Sequence, residues 1–146
     1  MEDLVKSLNC FLSDLNVFYR KLQNYHWNIK GKEFFEMHVK LEEYYDEIND
    51  EIDELAEHIL MLNAQPLGTM KDYLDNTCIK EAQNEKIDTC QVINNIVTDY
   101  NTLLKKANEI KEKADNIKAY GTSSLIDNYI LLYMKNLWML NQLNMK

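Results

Sequence analysis

Residues 26–57 read HWNIKGKEFFEMHVKLEEYYDEINDEIDELAE, and this stretch predicts both the fold and the chemistry of the chain. A glycine separates a first helix, whose last turn carries His26, from a second helix, which carries His38 and Glu42. His38 and Glu42 are four positions apart, so both side chains lie on one face of that helix. A turn at the glycine brings His26 beside them. Two imidazoles and a carboxylate with open positions suit Fe(II), with zinc and manganese as competitors.

A second pair of candidate ligands, Asp53 and Glu57, lies further along the same helix. Asp53 is eleven positions beyond Glu42, which corresponds to about 16 Å at a rise of roughly 1.5 Å per residue. Ligands of one ion all lie within about 2–2.5 Å of it, so the two groups of one copy cannot share an ion. Two antiparallel copies place the groups face to face. The spacing therefore predicts an oligomer with metal at a two-fold interface.

Composition limits the class of protein. The 146 residues carry a formal net charge of −8 and include three glycines and one proline. This length suits a single domain, residues 1–146, and the scarcity of helix breakers favours helix throughout. DNA binding is not expected of an acidic chain without a basic arm. The chain opens without a signal peptide and has no apolar run long enough to span a membrane, which predicts a cytoplasmic protein.

The few breakers divide the chain into four long helices. The first ends near Asn28 and the second spans about residues 33–63. A long connection follows, in which TMKDYLDN predicts a short helix. Each long helix has an apolar stripe at steps of three and four residues, which predicts an all-α four-helix bundle with a ferritin-like crossover. The stripes contain Leu4, Leu8, Phe11, Leu15, Phe18, Leu22 and Tyr25; Leu41, Tyr45, Ile48, Ile52, Leu55, Ile59 and Leu62; Ile93, Ile96, Tyr100, Leu103, Ala107 and Ile110; and Ile126, Ile130, Tyr133, Leu137 and Leu140.

Three features allow alternative interpretations. The last helix is apolar beyond its stripe, which favours a subunit interface over deep burial within the monomer. The second helix carries nine acidic residues between positions 42 and 57. They form either a solvated face or the wall of an enclosed space that gathers iron. The three cysteines show no paired spacing, which favours reduced thiols buried as small apolar side chains. They are Cys10, Cys78 and Cys90.

The segments NYHWNIKG, FFEMHVKLEEYYDE and IDELAE resemble the signature of the Dps family, small ferritin-like proteins that form hollow dodecamers. The resemblance continues through PLGTMKDYL, VTDYNTLL and LWML, and covers roughly residues 20–141. The Glu-x-x-His pair of the larger di-iron ferritins is missing from this chain, which agrees with the Dps family.

This resemblance implies a ferroxidase. His26, His38 and Glu42 of one subunit are expected to bind iron together with Asp53 and Glu57 of the partner subunit. The implied reaction is oxidation of Fe(II) to Fe(III), with hydrogen peroxide generally preferred over dioxygen. Ferric mineral then accumulates inside a homododecamer, which stores iron and protects against oxidative damage.

Four further positions bear on that expectation. Trp27 matches the tryptophan beside the family's centre, where it either passes an electron or forms an apolar wall that orients His26. Val39 replaces an acidic residue, and His58 replaces an arginine that would pair permanently with a carboxylate. Asp127 alone remains where relatives often show several aspartates around a pore. Two other functions stay open: DNA compaction, and a helical oligomer without chemistry.

Overall fold

Four long helices, one short helix and two short strands form the computed structural model, which describes residues 1–144. In chain order these are α1 (Glu2–Asn28), β1 (Ile29–Lys30), α2 (Phe34–Met61), α3 (Met70–Asn76), β2 (Ile87–Asp88), α4 (Thr89–Asn116) and α5 (Tyr120–Asn144). The predicted four-helix bundle, with a short helix in its long second connection, is confirmed. The last two residues of the predicted domain lie outside the described part of the chain.

The apolar stripes of the four long helices meet in one core. Every predicted stripe residue of α1 and α4 is buried. Three predicted stripe residues of the second helix are only half-buried at the edge of the core, namely Tyr45, Ile52 and Leu62, while Tyr44, which was not predicted, enters the core. Between Leu41 and Ile48, Tyr44 divides the chain into steps of three and four residues, and Tyr45 divides it into steps of four and three. Both patterns fit a helix, so periodicity could not distinguish the two tyrosines.

Side chains and left-handed residues set the helix ends. Thr69 accepts a hydrogen bond from the Asp72 N–H at 3.2 Å and begins α3. Asp88 accepts one from the Gln91 N–H at 2.9 Å and begins α4. Such N-caps satisfy backbone donors that have no partner within the helix. At the other end of α2, Asn63 takes the left-handed conformation, with φ 60°, that commonly ends a helix.

A pair of parallel two-residue strands links the two halves of the bundle. α1 and α2 form one hairpin, and α4 and α5 form the other. β1 precedes α2 and β2 precedes α4, and Ile29 lies opposite Ile87. Helices α2 and α4 therefore start at the same end of the bundle, and the crossover of residues 62–88 returns the chain to that end. The sequence did not predict the strands, because two residues are too few for an alternating pattern.

Asp14, which is fully buried in α1, attaches the crossover to the bundle. Its carboxylate accepts hydrogen bonds from the Thr77 hydroxyl at 2.7 Å and the Cys78 N–H at 2.9 Å. The Lys106 ammonium group of α4 donates to the same carboxylate. A buried charge is tolerated when it is paired and hydrogen-bonded in this way.

Two of the sequence-based interpretations were wrong within this subunit. The cysteines are not buried, since Cys10 is half-buried and Cys78 and Cys90 are exposed. Nor is the extra apolar surface of α5 covered by the monomer, because Leu131 and Trp138 are 66% and 62% exposed. The interface interpretation of α5 stays a prediction. No helix within residues 1–144 is both long and apolar enough to cross a membrane.

Candidate metal centre

A tight turn between α1 and α2 brings the two predicted histidines together. Gly31, with φ 104°, and Glu33, with φ 62°, both adopt the left-handed region. Glycine enters that region without steric cost. The chain therefore reverses within residues 29–33, and the last turn of α1 lies beside the first turns of α2.

His26 and His38 hold each other through reciprocal hydrogen bonds. Their rings stack with centroids 3.7 Å apart and an angle of 11°. His26 Nδ1 lies 2.6 Å from the His38 carbonyl oxygen, and His38 Nδ1 lies 2.8 Å from the His26 carbonyl oxygen. A carbonyl oxygen can only accept, so each Nδ1 carries the proton and donates. In a neutral imidazole with this tautomer, Nε2 keeps a lone pair, which is the form that binds metal.

Glu42 is the third candidate ligand, and it lies near His26. Its Oε1 atom lies 3.7 Å from His26 Nε2. This gap is too long for a hydrogen bond, but an ion bound to both atoms at about 2.1 Å each can span it. The Glu42 side chain is 56% exposed, whereas that of His26 is 9% exposed. The half-site, defined as His26, His38 and Glu42, is thus anchored inside the protein and open toward its surface.

Asp53 and Glu57 do not join the half-site. Both are exposed, and both lie on the same continuous helix as Glu42. The helical rise separates Glu42 from Asp53 by about 16 Å. Among the side chains of residues 1–143, no three His, Cys, Asp or Glu residues are close enough to enclose an ion. One subunit therefore presents two separated groups of candidate ligands. Their binding of metal and their union across a two-fold axis both stay predictions.

Two aromatic side chains that the sequence did not assign to the site lie against the half-site. The Phe34 ring stacks on His38 with centroids 5.1 Å apart. Tyr45 meets His26 edge-on at 5.5 Å and 83°. Trp27, which the resemblance places beside the centre, is 56% exposed. The sequence did contain a signal for both contacts. Phe34 lies one helical turn before His38, and Tyr45 lies one helical turn after Glu42.

The acidic stripe of α2 is divided between the interior and the surface. Three of its carboxylates accept hydrogen bonds from α5. The bonds run from Asn136 to Glu47 at 3.1 Å, from Tyr133 to Glu51 at 2.5 Å and from Tyr129 to Glu54 at 2.8 Å. Burial raises the pKa of Glu51 to about 8. The stripe is therefore neither wholly a solvated face nor wholly the wall of a space that gathers iron.

Two positions that depart from the family pattern have partners in this structure. His58 is buried, and its Nε2 lies 2.8 Å from the Thr122 hydroxyl oxygen. Burial lowers the pKa of His58, so the imidazole is neutral near pH 7 and is not a charged partner for a carboxylate. Asp127 pairs with the Lys111 ammonium group at 2.8 Å. Its charge is thus neutralised within the subunit.

Comparisons with known proteins agree with this architecture. Residues 5–145 match the ferritin-like domain family. General stress protein 20U of Bacillus subtilis is 36% identical over 143 residues, which cover 95% of each chain. DNA protection during starvation protein 2 of Bacillus anthracis is 36% identical over 140 residues, covering 95% of this chain and 94% of that protein.

Solved structures extend the similarity to three dimensions. Dps from Staphylococcus aureus superposes with a TM-score of 0.96 at 32% identity, covering 100% of this chain and 97% of that one. The Dps protein of Vibrio cholerae, described as a member of a superfamily of ferritin-like diiron-carboxylate proteins, gives 0.95 at 40% identity, covering 99% and 90%. The sequence, the fold and these relatives agree that the chain belongs to the Dps family of ferritin-like proteins.

Proposed function

We propose that this protein oxidises Fe(II) at sites shared between two copies of the chain. His26, His38 and Glu42 supply one side of each site, and Asp53 and Glu57 of the partner subunit supply the other. The observation that carries the proposal is the pair of stacked imidazoles. Their Nδ1 hydrogen bonds leave both Nε2 atoms available, and His26 Nε2 lies 3.7 Å from the Glu42 carboxylate. The separation of the two ligand groups along α2 requires a second copy.

The proposed reaction uses hydrogen peroxide as the preferred oxidant. Two Fe(II) ions each give one electron, the O–O bond of one peroxide breaks, and two water molecules enter the product. The products are two ferric oxyhydroxide units and four protons, so atoms and charge balance. Carboxylate oxygens are hard ligands and favour Fe(III) over Fe(II), whereas imidazole suits Fe(II). A site with both kinds of ligand can bind the reduced ion and stabilise the oxidised one.

We propose that the product is stored as mineral inside a hollow homododecamer in the cytoplasm. Surface carboxylates of α2 such as Asp46 and Asp50 are exposed and have no basic residue near them in the sequence. Such hard anionic groups suit ferric iron and are candidates for mineral nucleation. Consumption of Fe(II) and peroxide together removes the reactants that form hydroxyl radicals. The protein would thereby protect the cell against oxidative damage.

Protection of DNA would follow from this chemistry rather than from coating of the nucleic acid. Some relatives are named for DNA protection. This chain has a formal net charge of −8, which opposes binding to phosphate backbones. We expect no shift of duplex DNA in a gel at low salt. A shift that disappears with added salt would instead support electrostatic DNA binding.

The proposal is tested on the native particle by light scattering and by Fe(II) oxidation. A dodecamer has twelve times the 17.3 kDa mass of the chain, and it should oxidise Fe(II) with stoichiometric peroxide. His26→Ala and His38→Ala should abolish rapid oxidation while the particle mass is retained. Glu36→Gln, at an exposed acid of the same helix, is the matched control and should oxidise iron normally. Unchanged oxidation in both histidine variants, or a monomeric particle, would contradict the shared site.

A further inference from the structure

Tyr45 contacts two of the three residues of the half-site. It lies one turn after Glu42 on α2 and is half-buried. Its ring packs edge-on against His26, with centroids 5.5 Å apart. Its hydroxyl group donates toward Glu42 Oε1 at 3.4 Å, the same oxygen that lies 3.7 Å from His26 Nε2. Tyr45 is thus the side chain that joins the imidazole and the carboxylate of one subunit.

The Tyr45 ring is itself held from the side of α1. Tyr19 meets it edge-on, with centroids 5.8 Å apart and an angle of 90°. Gln23, one turn further along α1, donates a hydrogen bond to the Tyr19 hydroxyl group at 3.2 Å. The Tyr45 ring is therefore confined between His26 and Tyr19, and this packing fixes the position of its hydroxyl group.

The Glu42 carboxylate has little other support. Its side chain is more than half exposed and has three rotatable bonds, so it samples many rotamers in water. The 3.4 Å contact is longer than the usual O–H···O distance of about 2.7–2.8 Å, so it guides the carboxylate without locking it. Only Oε1 is engaged, which leaves Oε2 available.

We propose that Tyr45 is a positioning residue, whose hydroxyl group keeps the Glu42 carboxylate beside His26 and so prepares the half-site to bind an ion. This inference rests on the proposed function in that it takes His26, His38 and Glu42 as ligands. Hydrogen-bond partners of metal ligands commonly change metal affinity by about 10–100-fold when removed. The ring packing and the hydroxyl contact have separable effects, because Tyr45→Phe removes only the hydroxyl group.

Co(II) alone is a suitable probe, because it binds without being oxidised and its visible absorption reports ligand geometry. We expect Tyr45→Phe in the native particle to weaken Co(II) binding by about 10-fold and to alter the absorption bands. Thermal stability should be unchanged. Tyr44→Phe is the matched control, since it removes a hydroxyl group one position away on the core side of α2. Wild-type Co(II) affinity in Tyr45→Phe would overturn the inference.

A double-mutant cycle distinguishes positioning from general packing. If Tyr45 acts through the Glu42 carboxylate, Tyr45→Phe should have no further effect on Co(II) affinity in a Glu42→Ala background, which lacks the acceptor oxygen. Additive losses would overturn the inference. Loss of Co(II) binding in His26→Ala, with normal binding in Tyr45→Phe, would remove the role of Tyr45 and keep the proposed site. Normal binding in His26→Ala would instead contradict the proposed function itself.

Discussion

Glu51 places a carboxyl group inside the bundle, where it is 5% exposed and accepts a hydrogen bond from Tyr133. Burial is the largest cause that raises its pKa to about 8 from an ordinary value of 4.5. The folded protein therefore favours the protonated acid, whose contribution to stability is complete below pH 4.5 and is lost as the pH rises through about 8. The carboxyl group becomes a source of instability in alkaline solution.

Glu51→Gln should remove this pH dependence, because glutamine resembles the protonated acid and cannot ionise. At pH 9 we expect the free energy of unfolding to rise by roughly 1–3 kcal/mol, with little change at pH 5. Urea unfolding at one fixed protein concentration measures both values. Glu36→Gln, at an exposed position, is the control. Equal effects at the two pH values would contradict the assignment of the titrating group to Glu51.

Tyr133→Phe tests the hydrogen bond to Glu51 from the other side. Removal of the hydroxyl group leaves a buried carboxyl group without its donor, which should cost about 1–3 kcal/mol of stability. Thermal unfolding at pH 7 is the measurement. Tyr120→Phe, at a residue that is 64% exposed at the start of α5, should change stability by less than about 0.5 kcal/mol. Equal stability of the two variants would show that this contact is energetically neutral.

Among the helices, the three hydrogen bonds from α5 to the carboxylates of α2 form what we call the polar seam. This seam was not predicted, whereas the helices that it joins were. Apolar stripes identified all four long helices, because burial imposes a period that is visible locally. The polar seam joins residues 75 to 89 positions apart, and an acidic stripe does not reveal its donors. A signal was present: the donors at 129, 133 and 136 and the acceptors at 54, 51 and 47 are each spaced by three or four residues, and they run in opposite directions along the chain.

The half-site shows a similar division. The glycine turn placed His26 beside His38, as the sequence predicted, and His26 also lies 3.7 Å from Glu42. That these three residues bind metal stays a prediction. The reciprocal bonds to backbone carbonyls were not predictable, because they depend on the φ and ψ angles of the turn. The position of Tyr45 beside the half-site was not predictable either, because the helical period allows Tyr44 or Tyr45 to face the core.

The crossover depends on its attachment at Asp14. Asp14→Ala would leave the half-buried Lys106 without its buried partner and would free the Thr77 and Cys78 donors. We expect a loss of roughly 1–3 kcal/mol, because the Thr77 and Cys78 donors lose their acceptor while the half-buried Lys106 can still reach water. Hydrogen exchange of the backbone amides at residues 77–79 should accelerate. Asp75→Ala, which removes an exposed pair with Lys71, should cost less than about 1 kcal/mol. Unchanged exchange at residues 77–79 would contradict the anchoring role.

For the whole molecule, the uncovered apolar side of α5 supports the prediction that the subunit is one part of an oligomer. Leu131, Met134 and Trp138 lie one turn apart and are all more than half exposed. Contiguous exposed apolar surface of this kind usually marks a contact between proteins. The oligomer was predicted from ligand spacing on α2, and α5 supports it by an independent physical argument.

Trp138→Glu should weaken assembly, because a charge would then be buried in the contact. We expect light scattering to show a smaller particle, while circular dichroism keeps its helical signal. Fe(II) oxidation should fall with particle size, since Asp53 and Glu57 of the partner subunit complete the proposed site. Asn108→Glu adds the same charge at an exposed polar position of α4 and should leave the particle intact. An intact particle in Trp138→Glu would exclude this side of α5 as a contact.

The long crossover also makes the chain separable into two fragments. All five proposed ligands lie in the first hairpin, α1 and α2. The second hairpin, α4 and α5, contains none of them and contributes core residues and the hydrogen-bond donors to the α2 carboxylates. Nearly every residue from Lys80 to Lys86 is exposed, so trypsin can reach the peptide bonds after both lysines. A nick there leaves every helix whole, and the shared core holds the two pieces together. Co-expressed halves, cut at that point, should therefore reassemble into the same particle.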